Sequence, residues 1–267
     1  MKPRGIIFYY SATGNSRFAA LSLSVLTGDE PVDIITGKNP LNPERKDFKA
    51  DNFSRIGFVF PIYGWGVPPV ISRFIEEISP SLVKECYLWS LCTCGDEAGI
   101  AIKRLDKKIH KLTGRHIDAS FSLIMPNTYV LLPGFDVDKK ETEEGKLQKA
   151  PERLRLIASK ILAAEKTYDV KEGSFPGMRT DVLRPVFDKI GVFPSLWKST
   201  ADCISCGKCA THCPAGNIRM QAGRPEWGKK CFGCCACYHI CPVNSVSYGK
   251  ITVGKGQYFC HLKPIQK

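Results

Sequence analysis

The chain has 267 residues, thirteen cysteines and a formal charge of +12. That length allows one large domain, or a mid-sized domain followed by a small one. Its longest mostly apolar stretch, 56–71, is interrupted by Pro61, Gly64, Gly66, Pro68 and Pro69, which excludes an uninterrupted membrane-spanning helix.

Residues 1–4 lead straight into the apolar 5–10, a run too short for the core of a secretory leader. A cytoplasmic location with reduced thiols is therefore expected. From there to residue 165 the sequence alternates strand and helix. Strands are expected over 5–10, 32–36, 55–61, 86–94 and 117–125. Helices are expected over 16–26, 67–78 and 97–112, with a long one within 139–166. This alternation implies an α/β fold, a doubly wound five-stranded parallel sheet whose ligands bind beyond the carboxyl ends of the strands.

Three strand ends carry chemistry. The first is Ser11-Ala12-Thr13-Gly14-Asn15-Ser16, between strand and helix, where backbone N–H groups and a helix dipole favour an anion. It is neither a Walker loop nor a G-x-G-x-x-G turn, and a hydroxyl-rich helix cap is the plainer alternative. The second places Tyr63 and Trp65 between Pro61, Gly64 and Gly66, a flat apolar wall that bare backbone lets a ring approach. Core packing is the alternative, but a glycine-flanked aromatic loop makes a poor core element. The third, Thr93-Cys94-Gly95-Asp96, offers backbone groups to a ring's polar edge. Cys86 and Cys92 fall within a buried strand and are expected to be inert, while Cys94 lies near the ligand without a base to activate it.

These three loops, in this order, resemble the flavodoxins over most of 3–165, with Ser-x-Thr-Gly-Asn-Ser in the place of the FMN-phosphate loop. The resemblance implies one FMN, held by Ser11, Thr13, Gly14, Asn15, Ser16, Pro61, Tyr63, Gly64, Trp65, Gly66, Thr93, Cys94 and Gly95 of a domain spanning 1–167. The departures come next. In the 125–135 loop, Tyr129 is placed to cover the flavin or the domain junction. Residues 168–198 read as an ordered connector with a short helix over 181–190. Its aromatics Phe175, Phe187, Phe193 and Trp197 would be wasted in a flexible linker, so the two domains are expected to pack together.

Ten of the thirteen cysteines lie between Cys203 and Cys260, marking a boundary near 195 and a second domain over 199–267. Eight form two C-x2-C-x2-C-x3-C-P runs offset by 28 residues: Cys203, Cys206, Cys209 and Cys213 before Pro214, then Cys231, Cys234, Cys237 and Cys241 before Pro242. Three thiolates so spaced wrap one [4Fe–4S] cubane while the loop's N–H groups face the sulfurs. Zinc needs no such tandem pattern, and disulfides need an oxidising compartment. Residues 195–250 resemble the bacterial two-cluster ferredoxins, small α+β domains in which the last cysteine of each run ligates the other cluster. One cluster would then use Cys203, Cys206, Cys209 and Cys241, and the other Cys231, Cys234, Cys237 and Cys213. Ile204, Ile218, Phe232, Ile240 and Val246 would keep water from them. Cys235 matches Gly207 in the repeat and Cys260 lies outside it, so both are read as spare thiols.

The whole chain resembles the flavodoxin–ferredoxin fusion proteins of anaerobic bacteria and archaea. That implies FMN, two [4Fe–4S] clusters and electron transfer from a low-potential ferredoxin-type donor to another redox partner. The alternative is a flavin-dependent reductase of a small acceptor bound near Trp65 and Tyr129 and fed through the clusters. His110, His116, His212, His239 and His261 are scattered and form no acid–base constellation, so an electron carrier is preferred and no catalytic residue is assigned. Residues 201–267 hold nine Lys and Arg against two acids without a nucleic-acid motif. The functional reading is steering of an acidic redox partner such as a ferredoxin or flavodoxin, not nucleic acid, and a generic solvated surface is the plainer alternative.

Overall fold

A computed structural model describes residues 5–35, 53–186 and 192–266. Six parallel strands, β1 Ile6–Tyr9, β2 Glu30–Asp33, β3 Arg55–Pro61, β4 Tyr87–Cys94, β5 Ala119–Ile124 and β6 Thr167–Asp169, form one sheet in the order β2-β1-β3-β4-β5-β6. The first five follow the flavodoxin-like order, with its switch point between β1 and β3. The doubly wound sheet is thus as expected, but with six strands rather than five. The extra strand, β6, is a three-residue edge that pairs Thr167 with Ala119. β2 starts two residues earlier than the expected 32–36, whose last residue, Thr36, lies outside the described residues.

β1, β3 and β4 are mostly apolar and buried along almost their whole length because both faces of the sheet are covered. Helices α2 Pro69–Glu76 and α4 Ala101–Thr113 cover one face. α4 buries Ile102, Leu105 and Ile109, one stripe of a 3.6-residue period, and ends at Gly114 in the left-handed conformation. Between α2 and β4 lies one helical turn, α3 Pro80–Val83. The other face packs under α1 Asn15–Thr27 and α5 Lys140–Leu162, with Phe18, Leu23, Leu154, Ile157 and Ile161 between helix and sheet. Every expected helix of this region is present within a few residues at each end.

The connector departs further from expectation. Its helical stretch begins at Pro176–Met178 and widens into a π-type turn over Arg179–Leu183; residues 187–190 of the expected 181–190 helix, with Phe187, lie outside the described residues. Trp197 is buried, but Phe175 and Phe193 are 76% and 52% exposed, so only part of the aromatic content seals the junction. The seam is made instead by the loop after β5. Val130 and Leu131 enter a third core with Trp197, Tyr238, Val246 and Tyr248 of the cysteine-rich region.

That region has two small antiparallel ribbons, β7 Trp197–Ser199 with β10 Val246–Tyr248 and β8 Ile218–Gln221 with β9 Arg224–Trp227. Its 28-residue repeat is written in the backbone. Ser205 and Gly233, Gly207 and Cys235, and Gly216 and Asn244 all have positive φ. Each Gly207/Cys235 position starts a one-turn helix, Lys208–Thr211 or Ala236–His239.

Candidate functional site

A cavity of about 490 Å³ opens at the carboxyl ends of β1, β3 and β4, within the size range of small-ligand and cofactor sites. All three predicted loops reach it: Ser11, Thr13, Asn15 and Ser16 from the first, Pro61, Tyr63, Gly64 and Trp65 from the second, Thr93, Cys94 and Gly95 from the third. Gly14 and Gly66 do not line it. Gly14, at φ 94, caps α1, and a Cβ there would meet the Cys260 carbonyl oxygen at 2.8 Å. At Gly66 a side chain would occupy the place of the Arg184 guanidinium.

The anion loop is held from three sides. The Gly14 N–H donates to Ser11 Oγ at 3.2 Å, Ser16 Oγ and Thr93 Oγ1 lie 2.7 Å apart, and Asn15 Nδ2 donates to the Pro126 carbonyl at 3.0 Å. Hydroxyls and N–H groups at a helix start suit a phosphate monoester. In the second loop Trp65 adopts φ 56, a left-handed conformation disfavoured for a large side chain. The connector holds it there: Thr180 Oγ1 donates to the Trp65 carbonyl at 3.0 Å, and the Arg179 guanidinium lies 5.6 Å from the Trp65 ring centre while pairing with Glu97. Arg184 donates from Nη1 to the Tyr63 carbonyl at 2.7 Å and from Nη2 to that of Val67 at 3.0 Å, and lines the cavity.

The far wall of the cavity is Cys231, Phe232, Gly233, Cys234 and Cys235, from the cysteine-rich region. Nothing in local sequence could place this loop, or Arg184, against the flavodoxin-like strand ends, because both contacts span more than 100 residues. Arg73 of α2 stacks over the Phe232 ring at 5.9 Å. Tyr129 lines the cavity and packs edge-on against Phe135, at the domain junction as expected.

Behind that loop the eight repeat cysteines surround two spaces. Cys213, Cys231, Cys234 and Cys237 line one, with Ile218 and Phe232; Cys203, Cys206, Cys209 and Cys241 line the other, with Ile204 and Val246. Ile240 lines neither, and Ile204 is 59% exposed, a weaker shield than expected. Among the described residues no three His, Cys, Asp or Glu side chains converge as a single-ion site requires. The thiols stand around a volume, a donor set that suits a cluster.

Backbone N–H groups repeat the arrangement: Asn217 N–H donates to Cys213 Sγ at 3.3 Å and Ser245 N–H to Cys241 Sγ at 3.2 Å. Cys235 borders both the first space and the large cavity, whereas Cys260 lies beneath the anion loop, its N–H donating to the Thr13 carbonyl at 2.8 Å. Burial pushes the Cys86 thiol up to about 11, consistent with an inert thiol. His239 is buried and structural, bonded to the Thr128 carbonyl at 2.8 Å and to the Tyr258 N–H at 3.2 Å.

Residues 195–254 match the family model described as a 4Fe-4S dicluster domain. No curated protein matches the sequence. Among solved structures, similarity extends to a putative flavoprotein from Bacteroides eggerthii DSM 20697, 20% identical over 45% of this chain and 87% of that one, with a TM-score of 0.35. It extends also to an NAD(P)H:quinone oxidoreductase from Methanothermobacter marburgensis, 14% identical over 58% and 95%, TM-score 0.38. The Trp repressor binding protein from Bacillus subtilis is 12% identical over 57% and 96%, TM-score 0.38. At these values the likenesses say nothing of this chain's activity. The chain joins a flavodoxin-like α/β domain to a C-terminal 4Fe-4S dicluster domain, a combination suited to redox electron transfer.

Proposed function

We propose that the chain relays electrons between FMN, bound in the 490 Å³ cavity, and two [4Fe–4S] clusters, linking a low-potential ferredoxin-type donor to another redox partner. One cluster is assigned to Cys213, Cys231, Cys234 and Cys237, the other to Cys203, Cys206, Cys209 and Cys241. One observation carries the reading: the cysteine loop 231–235 is itself a wall of the cavity that the anion loop opens into.

FMN supplies one- and two-electron exchange and each cluster one-electron exchange. The chain binds, orients and insulates. Thr13, Asn15 and Ser16 receive the phosphate, and Tyr63 and Trp65 exclude water from the ring. Around the exposed Cys206 thiol, Ile204 and the exposed Lys208 border the same space, and Lys and Arg outnumber acids nine to two over 201–267. Positive charge there steers an acidic redox protein.

An anaerobic absorption spectrum, with iron, sulfide and flavin measured on one sample, tests the reading. About eight iron, eight sulfide and one FMN per chain are expected. Photoreduction of the clusters should then be followed by flavin reduction at a rate independent of protein concentration. Eight iron with no flavin after FMN is added, or reduced clusters with no flavin response, overturns it.

A further inference from the structure

Two indole N–H groups are buried in the cysteine-rich region with no hydrogen bond formed among the described residues, those of Trp197 and Trp227. An unpaired buried N–H is costly and rare, so its direction is informative. Both rings line the flavin-side space together with Cys231 and Cys237, and the pairings open to their N–H groups there are Trp197 with Cys231 and Trp227 with Cys237. The rings stack at 6.2 Å with 16° between planes, on β7 and β9, so ribbon pairing rather than loop conformation fixes their aim.

A third donor comes from the other domain. The Tyr10 hydroxyl, wholly buried just beyond the end of β1, lies 2.8 Å from the Tyr63 hydroxyl and is electrostatically coupled to the Cys234 thiol. Among the described residues the other space has no counterpart set. Met220 and Pro225 line it, and the one side-chain hydroxyl near a ligand sulfur there is Ser245, 3.4 Å from Cys241, among the described residues.

We propose that Trp197, Trp227 and Tyr10 are positioning residues that donate hydrogen bonds to the Cys231, Cys237 and Cys234 thiolates and so raise the reduction potential of the flavin-side cluster. This rests on the cluster assignment above. Reduction adds negative charge that spreads onto the thiolate sulfurs, so a donor stabilises the reduced form more than the oxidised one. In a buried, low-dielectric setting each bond is stronger than it would be in water. Tyr10 thereby ties the cluster's potential to the docking of the two domains, because the donor sits on one and the sulfur on the other. Solvent access at Cys206 raises the other cluster's potential as well. The informative quantity is therefore the shift within one cluster.

Trp197→Phe, Trp227→Phe and Tyr10→Phe each keep the ring and remove the donor. The experiment is an anaerobic redox titration of the holoprotein followed by electron paramagnetic resonance, with iron and sulfide measured on every variant. A soluble paramagnetic relaxant marks the exposed cluster and so distinguishes the two signals. In each variant the oxidised-to-reduced ratio of the flavin-side cluster at fixed poise is expected to rise by up to about tenfold, a shift of about 59 mV toward negative potential for one electron. The exposed cluster should not move.

Unchanged potentials in all three variants, or equal shifts of both clusters, overturn the proposal. If a variant loses iron, wild-type protein labelled with ¹⁵N at the indole decides: pulsed resonance should detect ¹⁵N coupling on the reduced flavin-side cluster, and no coupling overturns it. Wild-type protein lacking about eight iron would instead defeat the cluster assignment, a separate result.

Discussion

Tyr258 and Asn15 are 243 residues apart and meet in a buried hydrogen bond of 2.9 Å, the phenol donating to the Asn15 side-chain carbonyl. The chain's last described segment therefore reaches back across the fold to the anion loop. It continues as a strap: after the Cys260 bond to Thr13, Ile265 enters the core under α1 and α5, and its N–H donates to Ser22 Oγ at 3.1 Å. The anion loop is thus clamped between its own helix and the end of the cysteine-rich domain.

Tyr258→Phe removes the donor and leaves the Asn15 oxygen buried without it, a loss of about 1–3 kcal/mol. FMN affinity is expected to fall several-fold while iron content stays at its wild-type value. Fluorescence titration of flavin-free protein with FMN reads this directly, and an unchanged affinity would mean that α1 alone sets the loop.

Arg184 fastens the connector to the second loop through two carbonyls, those of Tyr63 and Val67. Hydrogen bonds from a charged donor contribute about 1.5–3 kcal/mol. Arg184→Ala should raise amide exchange across 176–186 and at Trp65, whose strained φ then loses part of its support. Gly66→Ala should mimic it by displacing the guanidinium. Wild-type exchange rates at Trp65 in both variants would show that Thr180 and Arg179 hold that loop alone.

These two contacts mark the limit of what the sequence discloses. The anion loop was legible because its chemistry is local: Ser11 to Ser16 supply both hydroxyls and the helix start within six consecutive residues. The cysteine repeat was legible for the same reason, and even Cys235 could be set against Gly207. Arg184, Tyr10 and Tyr258 act on partners across 50 to more than 200 residues, which leaves no periodicity to read. β6 escaped notice because three residues are too few to display an alternating pattern. Exposed Phe175 and Phe193 violated a sound rule about buried aromatics, since the seam was sealed from the 125–135 loop instead.

The 127–138 segment beside that seam should lose stability in acid. Burial alone would raise the Asp138 carboxyl, but Lys146, 2.6 Å away, and the Asn127 backbone and side-chain N–H groups outweigh it and hold it below the usual range. A lowered folded pKa gives stability that is present above the unfolded value of about 3.9 and is lost as pH falls through the folded one. The Tm gap between wild type and Asp138→Asn should therefore be full at neutral pH and close below about pH 4. Comparing the two proteins cancels acid damage to the clusters common to both, and a gap independent of pH would place the stabilising charge elsewhere.

Cys235 provides the sharpest test of the ligand assignment. It has φ 57, borders both the large cavity and the flavin-side space, and stands where the first repeat has Gly207 at φ 70. A left-handed conformation costs a non-glycine residue about 1–2 kcal/mol, which glycine would not incur. Against that relief stands the loss of a buried side chain, so Cys235→Gly should leave Tm close to wild type. Its iron and sulfide should stay at about eight per chain, whereas Cys237→Ser, which alters an assigned ligand, should lose up to about four of each. Iron lost from Cys235→Gly but kept in Cys237→Ser would exchange the roles of the two thiols and break the equivalence of the two repeats.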